Sequence, residues 1–317
     1  FGAYAIWQIG RLIRLRRPMP AALWLGAIVV AYGLSSINAA GYQPDRARWH
    51  YERGIAYRSV GDTDHAIEQY RQAVAIDPSH GPALYNLGLA LAAQDRLEEA
   101  TAQYRRALAI RPDYADAHNN LGNALLRQGK LDEAIEHYHQ ALQIWPDYAL
   151  AHRNLGLALV RAGQTDQAIV HFEQAVQIDP DYAAAHQNLA DALSRTSRFA
   201  EAAQHYRTVL RLVPDHIRAM NDLAWLLATC PDAAIRNGPE AARLATEANR
   251  RVNYTQPLLL DTLAAAYADV GDFDRAVTTA RRAVELARAH TQSELADQYE
   301  ARLRLYQANQ PYRQPAP

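Results

Sequence analysis

Apolar positions along residues 47–216 recur with two spacings at once, a helical spacing and a longer one of 34 residues. Within each stretch they fall three or four residues apart, which places them on one face of a helix. The strictest columns are Pro78, Pro112, Pro146, Pro180 and Pro214, then Ala66, Ala100, Ala134, Ala168 and Ala202, and then Tyr70, Tyr104, Tyr138, Phe172 and Tyr206. A period of this length predicts stacked units, each with room for two helices and two turns.

Turn signals in the unit 115–148 support this division into two helices. Gly129 lies between the helices, where a residue often adopts φ > 0. Asp132 then falls in the first turn of the second helix, where a negative charge is favourable. Pro146 ends that helix, and Asp147 directly after it is expected to cap the next one.

The repeated residues resemble the tetratricopeptide repeat (TPR) family. The residues of the third unit that match the family pattern are Leu121, Gly122, Leu125, Ala134, Tyr138, Ala141 and Pro146. The resemblance implies an all-α TPR helical solenoid of about seven helix-turn-helix repeats with a C-terminal capping helix. The predicted TPR repeats are 47–80, 81–114, 115–148, 149–182, 183–216, 217–256 and 257–290, followed by the capping helix 291–309 and a disordered tail, 310–317. The sixth repeat is longer because residues 230–239 extend its inter-helix turn.

The N-terminal residues differ from the repeats. Residues 18–41 contain no charged side chain and are long enough to cross a bilayer, so we predict a transmembrane helix. Residues 1–17 are interpreted as the end of an upstream span and a basic cytoplasmic loop, and 42–46 as a linker. Since arginines precede the span, the TPR array is expected on the non-cytoplasmic side of an inner or plasma membrane. A cleaved signal peptide and a buried soluble helix are the alternatives.

Composition narrows the function. The chain has 317 residues and a formal net charge of −1, which does not favour a nucleic-acid partner. It contains one cysteine, Cys230, for which a structural role is favoured over a nucleophilic one. No catalytic motif, cofactor site or metal site is predicted. Seven histidines fall into two columns and are interpreted as packing or surface residues set by the repeat: His50, His118, His152, His186, His137, His171 and His205.

The first helix of each repeat leaves one face free of intra-repeat packing. Positions 4, 7, 8 and 11 of a unit point into the packing, so positions 2, 6, 9 and 13 cluster on the opposite side. By resemblance to the family this side would be the concave groove. Its candidate binding residues are Asn86, Asn120, Asn154 and Asn188 at position 6 and Arg127, Arg161 and Arg195 at position 13. Asparagine can pair with a peptide backbone, and arginine can hold carboxylates. The alternative is that they serve repeat packing or form a solvated face.

Two functions are most consistent with these features, and a third, a soluble cytosolic assembly factor, requires residues 21–40 to be buried in protein. The first is a non-catalytic, membrane-tethered TPR scaffold that mediates protein-protein interaction by binding an extended peptide segment, acidic segments being suited to the arginines. The second takes the chain as the C-terminal, substrate-positioning TPR region of a membrane glycosyltransferase whose catalytic part lies upstream. It rests on a resemblance to bacterial polytopic glycosyltransferase-like TPR proteins and on the apolar, aromatic start of the chain at Phe1.

Overall fold

The computed structural model describes residues 45–315 and shows an all-α TPR solenoid fold, as the sequence predicts. The chain divides into two compact units, Phe1–Pro146 and Asp147–Pro317. The described helices of unit 1 are α1 (Arg46–Ser59), α2 (Thr63–Ile76), α3 (Gly81–Ala93), α4 (Leu97–Ile110), α5 (Ala115–Arg127) and α6 (Leu131–Ile144). Those of unit 2 are α7 (Ala149–Arg161), α8 (Thr165–Ile178), α9 (Ala183–Arg195), α10 (Phe199–Leu212), α11 (Ile217–Thr229), α12 (Gly238–Arg251), α13 (Pro257–Asp269), α14 (Phe273–Ala289) and α15 (Ser293–Gln307).

A glycine packed against an aromatic ring joins the two helices of several repeats. A Cβ atom added to Gly122 would lie 2.7 Å from the Tyr138 ring, closer than van der Waals contact allows. The ring is itself fully buried. The absence of a side chain therefore lets the helices approach closely while the aromatic ring fills the space beside them. Equivalent pairs are Gly54 with Tyr70, Gly88 with Tyr104, and Gly156 with Phe172.

The tight turn between the helices has the backbone conformation that the sequence predicts. Gly61, Gly129 and Gly163 have φ values of 80°, 79° and 77°. Asp95 and Ser197 occupy the equivalent turn position in two repeats and also have positive φ, at 62° and 61°. A non-glycine residue in this region is strained, so these two turns are formed at a small cost in stability.

The predicted aspartate caps are wrong. The residue at the N-cap of α7 is Tyr148, and no side chain accepts a hydrogen bond there. Asp147 lies one residue too early, outside the position from which a carboxylate reaches the first-turn amides. The same arrangement recurs at α9, which Tyr182 precedes. At α11 the N-cap is His216, whose ring nitrogen accepts from the Ala219 amide.

Residues 230–237 connect the two helices of the longer repeat in unit 2. Arg236 holds this connection together by donating from Nη1 to the carbonyl oxygens of Cys230 at 2.9 Å and Pro231 at 3.0 Å. Cys230 is fully buried, and burial raises the pKa of its thiol. These surroundings suit a structural cysteine, since a reactive one needs an accessible thiolate.

The C-terminal residues depart from the expected disordered tail. Residues 311–315 are extended, and Gln314 donates its backbone N–H to the carbonyl oxygen of Thr229 at 2.8 Å. Arg313 donates to the carbonyl oxygen of Ala228 at 2.8 Å. Composition alone does not reveal anchoring through such main-chain and side-chain groups, and it favours disorder for these residues.

The predicted membrane span, residues 18–41, lies outside the described residues. Within 45–315 no helix is both long and apolar enough to cross a bilayer. The span and the membrane side of the repeats therefore stay predictions.

The glycine–aromatic contact gives a testable consequence. Gly122→Ala should lower the free energy of unfolding by about 1–2 kcal/mol, because strain against Tyr138 exceeds the gain in helix propensity. The cost should not be larger, since Ala190 takes the equivalent place beside Tyr206 in a later repeat and is fully buried there. Urea unfolding measures the difference.

The matched control is Gly81→Ala at the start of α3. An added Cβ there would lie 3.8 Å from its nearest neighbour, an ordinary contact. This variant should keep or slightly raise the free energy of unfolding. Equal losses for Gly81→Ala and Gly122→Ala would show that the Tyr138 ring is not the constraint.

Candidate functional site

The asparagines of the free first-helix face in unit 1 bond to the preceding repeat. Asn86 donates from Nδ2 to the Tyr51 hydroxyl at 3.2 Å, and its Oδ1 accepts from Arg58 at 2.6 Å. Asn120 donates to the Tyr85 hydroxyl at 2.9 Å. Each asparagine–tyrosine bond joins position 6 of one repeat to position 5 of the repeat before it. The amides therefore hold adjacent repeats together, the structural role that the sequence left open.

The asparagines of unit 2 are engaged in the same way or are buried. Asn188 accepts from Nε of Arg153 at 3.2 Å, again from position 5 of the preceding repeat. Asn154 is only 7% exposed and has interactions with other residues. The asparagine side chains of this column are therefore largely engaged in contacts within the chain itself.

The arginines at position 13 differ from one another. In unit 1, Arg127 forms an ion pair with Asp95 at 2.6 Å and donates to the Ala92 carbonyl oxygen at 3.0 Å. In unit 2, the place equivalent to Asp95 before Arg195 is taken by Gly163, which has no carboxylate. Arg127 therefore has a carboxylate partner in the preceding repeat, and Arg195 has none at the equivalent place.

Arg161 and Arg195 lie at the C-terminal ends of α7 and α9, and both are exposed. Among residues 45–315 neither has a hydrogen bond or ion pair. Because α7 and α9 occupy the same place in consecutive repeats, the two guanidinium groups repeat along one face of unit 2. They are the members of the predicted set that remain available to bind carboxylates.

An acidic group that the sequence analysis missed lies farther along this face. Arg218 of α11 donates to Asp191 of α9 and, from Nε, to Asp222 at 3.3 Å. Gln187 also donates to Asp222 at 2.9 Å. Burial raises the pKa of Asp222, and the charge of Asp191 raises it further. These residues occupy positions 2, 5, 6 and 9 of their repeats. The charged residues could therefore have been found in the sequence, but the residue types at these positions differ from repeat to repeat and form no uniform column.

An aromatic cluster around Arg302 marks the last part of unit 2. The guanidinium group lies 5.3 Å from the ring centroids of Trp225, Tyr299 and Tyr312. It also forms an ion pair with Asp261 at 2.8 Å. Burial raises the pKa of Asp261 to about 6 against the opposing effect of Arg302. A cavity of about 420 Å³ lies beside this cluster, between α11, α13, α15 and residues 312–314.

The extended C-terminal segment, residues 311–315, lies on the same face. Tyr312 packs on Trp225 with ring centroids 5.7 Å apart, and Arg313 forms an ion pair with Asp269 at 2.7 Å. Trp225 is at position 9 of its repeat, while Thr229 and Asp269 are at position 13 of theirs. Positions predicted to bind a peptide thus contact an extended segment of the chain itself. The sequence offered no periodic signal for this segment, because it lies outside the repeats.

The two histidine columns meet in pairs, which the sequence analysis did not foresee. The Nδ1 atoms of His118 and His137 are 3.1 Å apart, and those of His186 and His205 are 2.9 Å apart. A third pair, His152 with His171, has the same contact at 3.0 Å. Each pair joins the first and second helices of one repeat.

Hydrogen bonding fixes the proton in these pairs. Nε2 of His118 lies 3.0 Å from the Pro112 carbonyl oxygen, so this nitrogen donates. The His118 Nδ1 is then an acceptor in the neutral ring, and the His137 Nδ1 donates to it. His186 makes the same contact with the Pro180 carbonyl oxygen at 3.0 Å. These two pairs are therefore complete only when the accepting ring is neutral.

Burial lowers the pKa of the donating histidines. The pKa of His137 is lowered by burial and then by His118. The pKa of His205 is lowered to about 4 by burial and by His186, an effect that Glu201 opposes. Within residues 45–315 no group of three or more His, Cys, Asp or Glu side chains could hold a metal ion. The pairs are better understood as hydrogen bonds between helices.

Family models match most of the repeat region. Models described as tetratricopeptide repeat or TPR repeat match residues 54–95, 88–129, 113–181, 159–219 and 257–282. The chain belongs to the tetratricopeptide repeat family. TPR proteins are in general non-enzymatic scaffolds, and these models indicate no catalytic family. No curated protein matches the chain in sequence.

Solved structures show the same fold. The TPR chain is similar to Pseudomonas aeruginosa pilF, with a TM-score of 0.55 and 22% identity over 81% of this chain and 97% of that one. It is also similar to a chain of the APC/C hetero-tetramer Cut9-Hcn1, with a TM-score of 0.57 and 18% identity over 76% of this chain and 48% of that one. A third similar structure is MamA from Desulfovibrio magneticus RS-1, with a TM-score of 0.50 and 24% identity over 54% of this chain and 97% of that one.

The histidine pairs predict how the free energy of unfolding of this TPR protein depends on pH. A lowered folded-state pKa means that the unfolded chain binds the proton more tightly, so the stabilisation is present above about pH 6.5 and is lost as the pH falls below it. For His205 the loss should continue to about pH 4. Chemical denaturation between pH 7.5 and 4 should show this decline.

A native pair supplies the substitution that tests this. His50 pairs with Gln69 at 2.8 Å, so His137→Gln combined with His205→Gln replaces a histidine pair by a pair that the chain already uses. This variant should lose less stability on acidification than the natural chain. His290→Gln, at the exposed C-cap residue after α14, is the control and should leave the decline unchanged. An equal decline in all three proteins would contradict the assignment.

Proposed function

We propose that this TPR protein is a non-catalytic interaction module that binds an extended segment of a partner protein on the free first-helix face of unit 2. The observation that supports it most directly is that residues 311–315 already lie there in extended form, held through main-chain and side-chain groups. A surface that accommodates an extended segment of its own chain has the hydrogen-bonding groups to accommodate another.

The charge of the partner segment follows from the two unpaired arginines. Arg161 and Arg195 are exposed guanidinium groups one repeat apart. Arg218 and Arg302 are instead paired with carboxylates, and Arg153 donates to Asn188. An acidic segment that crosses α7 and α9 would place carboxylates against Arg161 and Arg195. Lysines do not contribute, because Lys130 is the only lysine of the chain and lies in unit 1.

Membrane tethering through residues 18–41, with the TPR repeats on the non-cytoplasmic side, is part of the proposal. It is supported by the uncharged segment and the arginines before it.

A second candidate function is the C-terminal substrate-positioning region of a membrane glycosyltransferase. The apolar and aromatic composition of residues 1–9 favours that context.

An array of synthetic twelve-residue peptides, with acidic, basic and neutral members, tests the proposed site. The natural chain should bind acidic members preferentially. Arg161→Glu combined with Arg195→Glu should weaken that binding by at least about tenfold, because two charge-assisted contacts become repulsive. Fluorescence anisotropy of the selected peptides gives the affinities.

The matched control reverses two arginines on the second helices of the same unit. Arg211→Glu combined with Arg243→Glu changes the net charge equally at exposed side chains on α10 and α12. These two changes should leave peptide binding nearly unaltered. If no extended peptide binds the natural chain, or if both double variants weaken binding alike, the proposed site is wrong.

A further inference from the structure

The C-terminal segment 311–315 makes contacts that are specific in chemistry. Two of them use carbonyl oxygens at the end of α11, where the last turn of a helix has no partners of its own. Gln314 N–H donates to Thr229, and the Arg313 guanidinium donates to Ala228, both at 2.8 Å. The site under the segment therefore requires hydrogen-bond donors.

Asp269 adds a requirement for a cation. Its side chain is only 8% exposed, and it ends α13, where the helix dipole disfavours a negative charge. Arg313 is its close partner at 2.7 Å, while Nε of Arg236 is 3.9 Å away. Without the Arg313 guanidinium, this buried carboxylate would lose its strongest compensation.

The third requirement of this site is an aromatic side chain. Tyr312 lies on Trp225 with ring centroids 5.7 Å apart, and the guanidinium group of Arg302 lies 5.3 Å from the Tyr312 ring. Stacking between aromatic rings and a guanidinium group is favourable and depends on ring orientation. An aromatic residue followed by arginine is thus the chemistry that this surface selects.

The segment leaves part of the surface unused. The cavity of about 420 Å³ beside Tyr312 and Gln314 is also lined by Leu258 and Leu295, which are 55% and 37% exposed. A longer segment could place an apolar side chain against these leucines and make contacts that the C-terminal segment does not make. Such a segment could compete successfully for the site.

We infer that residues 311–315 occupy, within the chain, a binding site for a partner segment that presents an aromatic residue followed by arginine, with an apolar residue nearby. This rests on the proposed function and specifies a second place on the same face. The C-terminal segment would act as an internal competitor. Since a tethered segment has an effective concentration in the millimolar range, it should weaken partner binding by about tenfold or more.

The probe is a fluorescein-labelled peptide with the sequence of residues 309–315, Asn-Gln-Pro-Tyr-Arg-Gln-Pro. Its binding is compared between the natural chain and the chain lacking residues 310–317. The shortened chain should bind the peptide at least about tenfold more tightly. A peptide with tyrosine and arginine exchanged has the same composition and charge and should bind weakly to both.

Two variants of the shortened chain identify the site. Asp269→Asn removes the charge that holds arginine and should weaken peptide binding by at least about tenfold. Asp274→Asn, at an exposed residue in the first turn of α14, should not. If Asp269→Asn fails to fold, a peptide with glutamine in place of arginine tests the same ion pair on the unaltered protein.

The outcomes separate this inference from the proposed function. Equal peptide binding by the natural and shortened chains, or none by either, would overturn the inference. The acidic peptides selected for Arg161 and Arg195 are measured on the same two proteins. If those acidic peptides bind while the 309–315 peptide does not, the proposed function stands and the inference fails.

Discussion

Close approach of two helices at a glycine is the constraint on which the repeats of this protein depend. In the first four repeats a glycine of the first helix faces an aromatic ring of the second, and a Cβ atom at Gly88, for example, would lie 2.6 Å from Tyr104. The contact buries the aromatic ring and fixes how the helices pack. Because one side of the first helix is used in this way, the opposite side is left for contacts between repeats and with other molecules.

That opposite side is not uniformly available. Asparagines that suit peptide binding bond instead to the neighbouring repeat, as Asn120 does to Tyr85. Arg127 is paired with Asp95, whereas Arg161 and Arg195 have no partner among residues 45–315. Among the described residues, unpaired arginines and an extended segment lie on the same face in unit 2 alone. Its chemistry changes from cationic at α7 and α9 to acidic and aromatic at α11 and α13.

The sequence predicts the fold well because the repeat imposes the same contact many times. The columns of alanine, aromatic residue and proline determine helix pairs, and Gly129 determines the turn with positive φ. The candidate site residues stay predictions, and the contacts within one column differ because a column is not uniform in its neighbours. The residue at the turn position of the preceding repeat decides whether an arginine at position 13 is paired. Asp95 pairs with Arg127, whereas the glycine at the equivalent place before Arg195 cannot form an ion pair. The histidine pairs and the anchored segment 311–315 depend on contacts between columns or outside the repeat, which spacing alone does not reveal.

The central claim is that the first-helix face of unit 2 holds an extended segment through defined hydrogen bonds. The most direct measurement is hydrogen–deuterium exchange at the Gln314 amide, which donates to the Thr229 carbonyl oxygen at 2.8 Å. The account predicts that this amide exchanges more slowly in the natural chain than in a free peptide of the same sequence. Exchange at the free-peptide rate would show that the segment is not held on the face, contrary to the account.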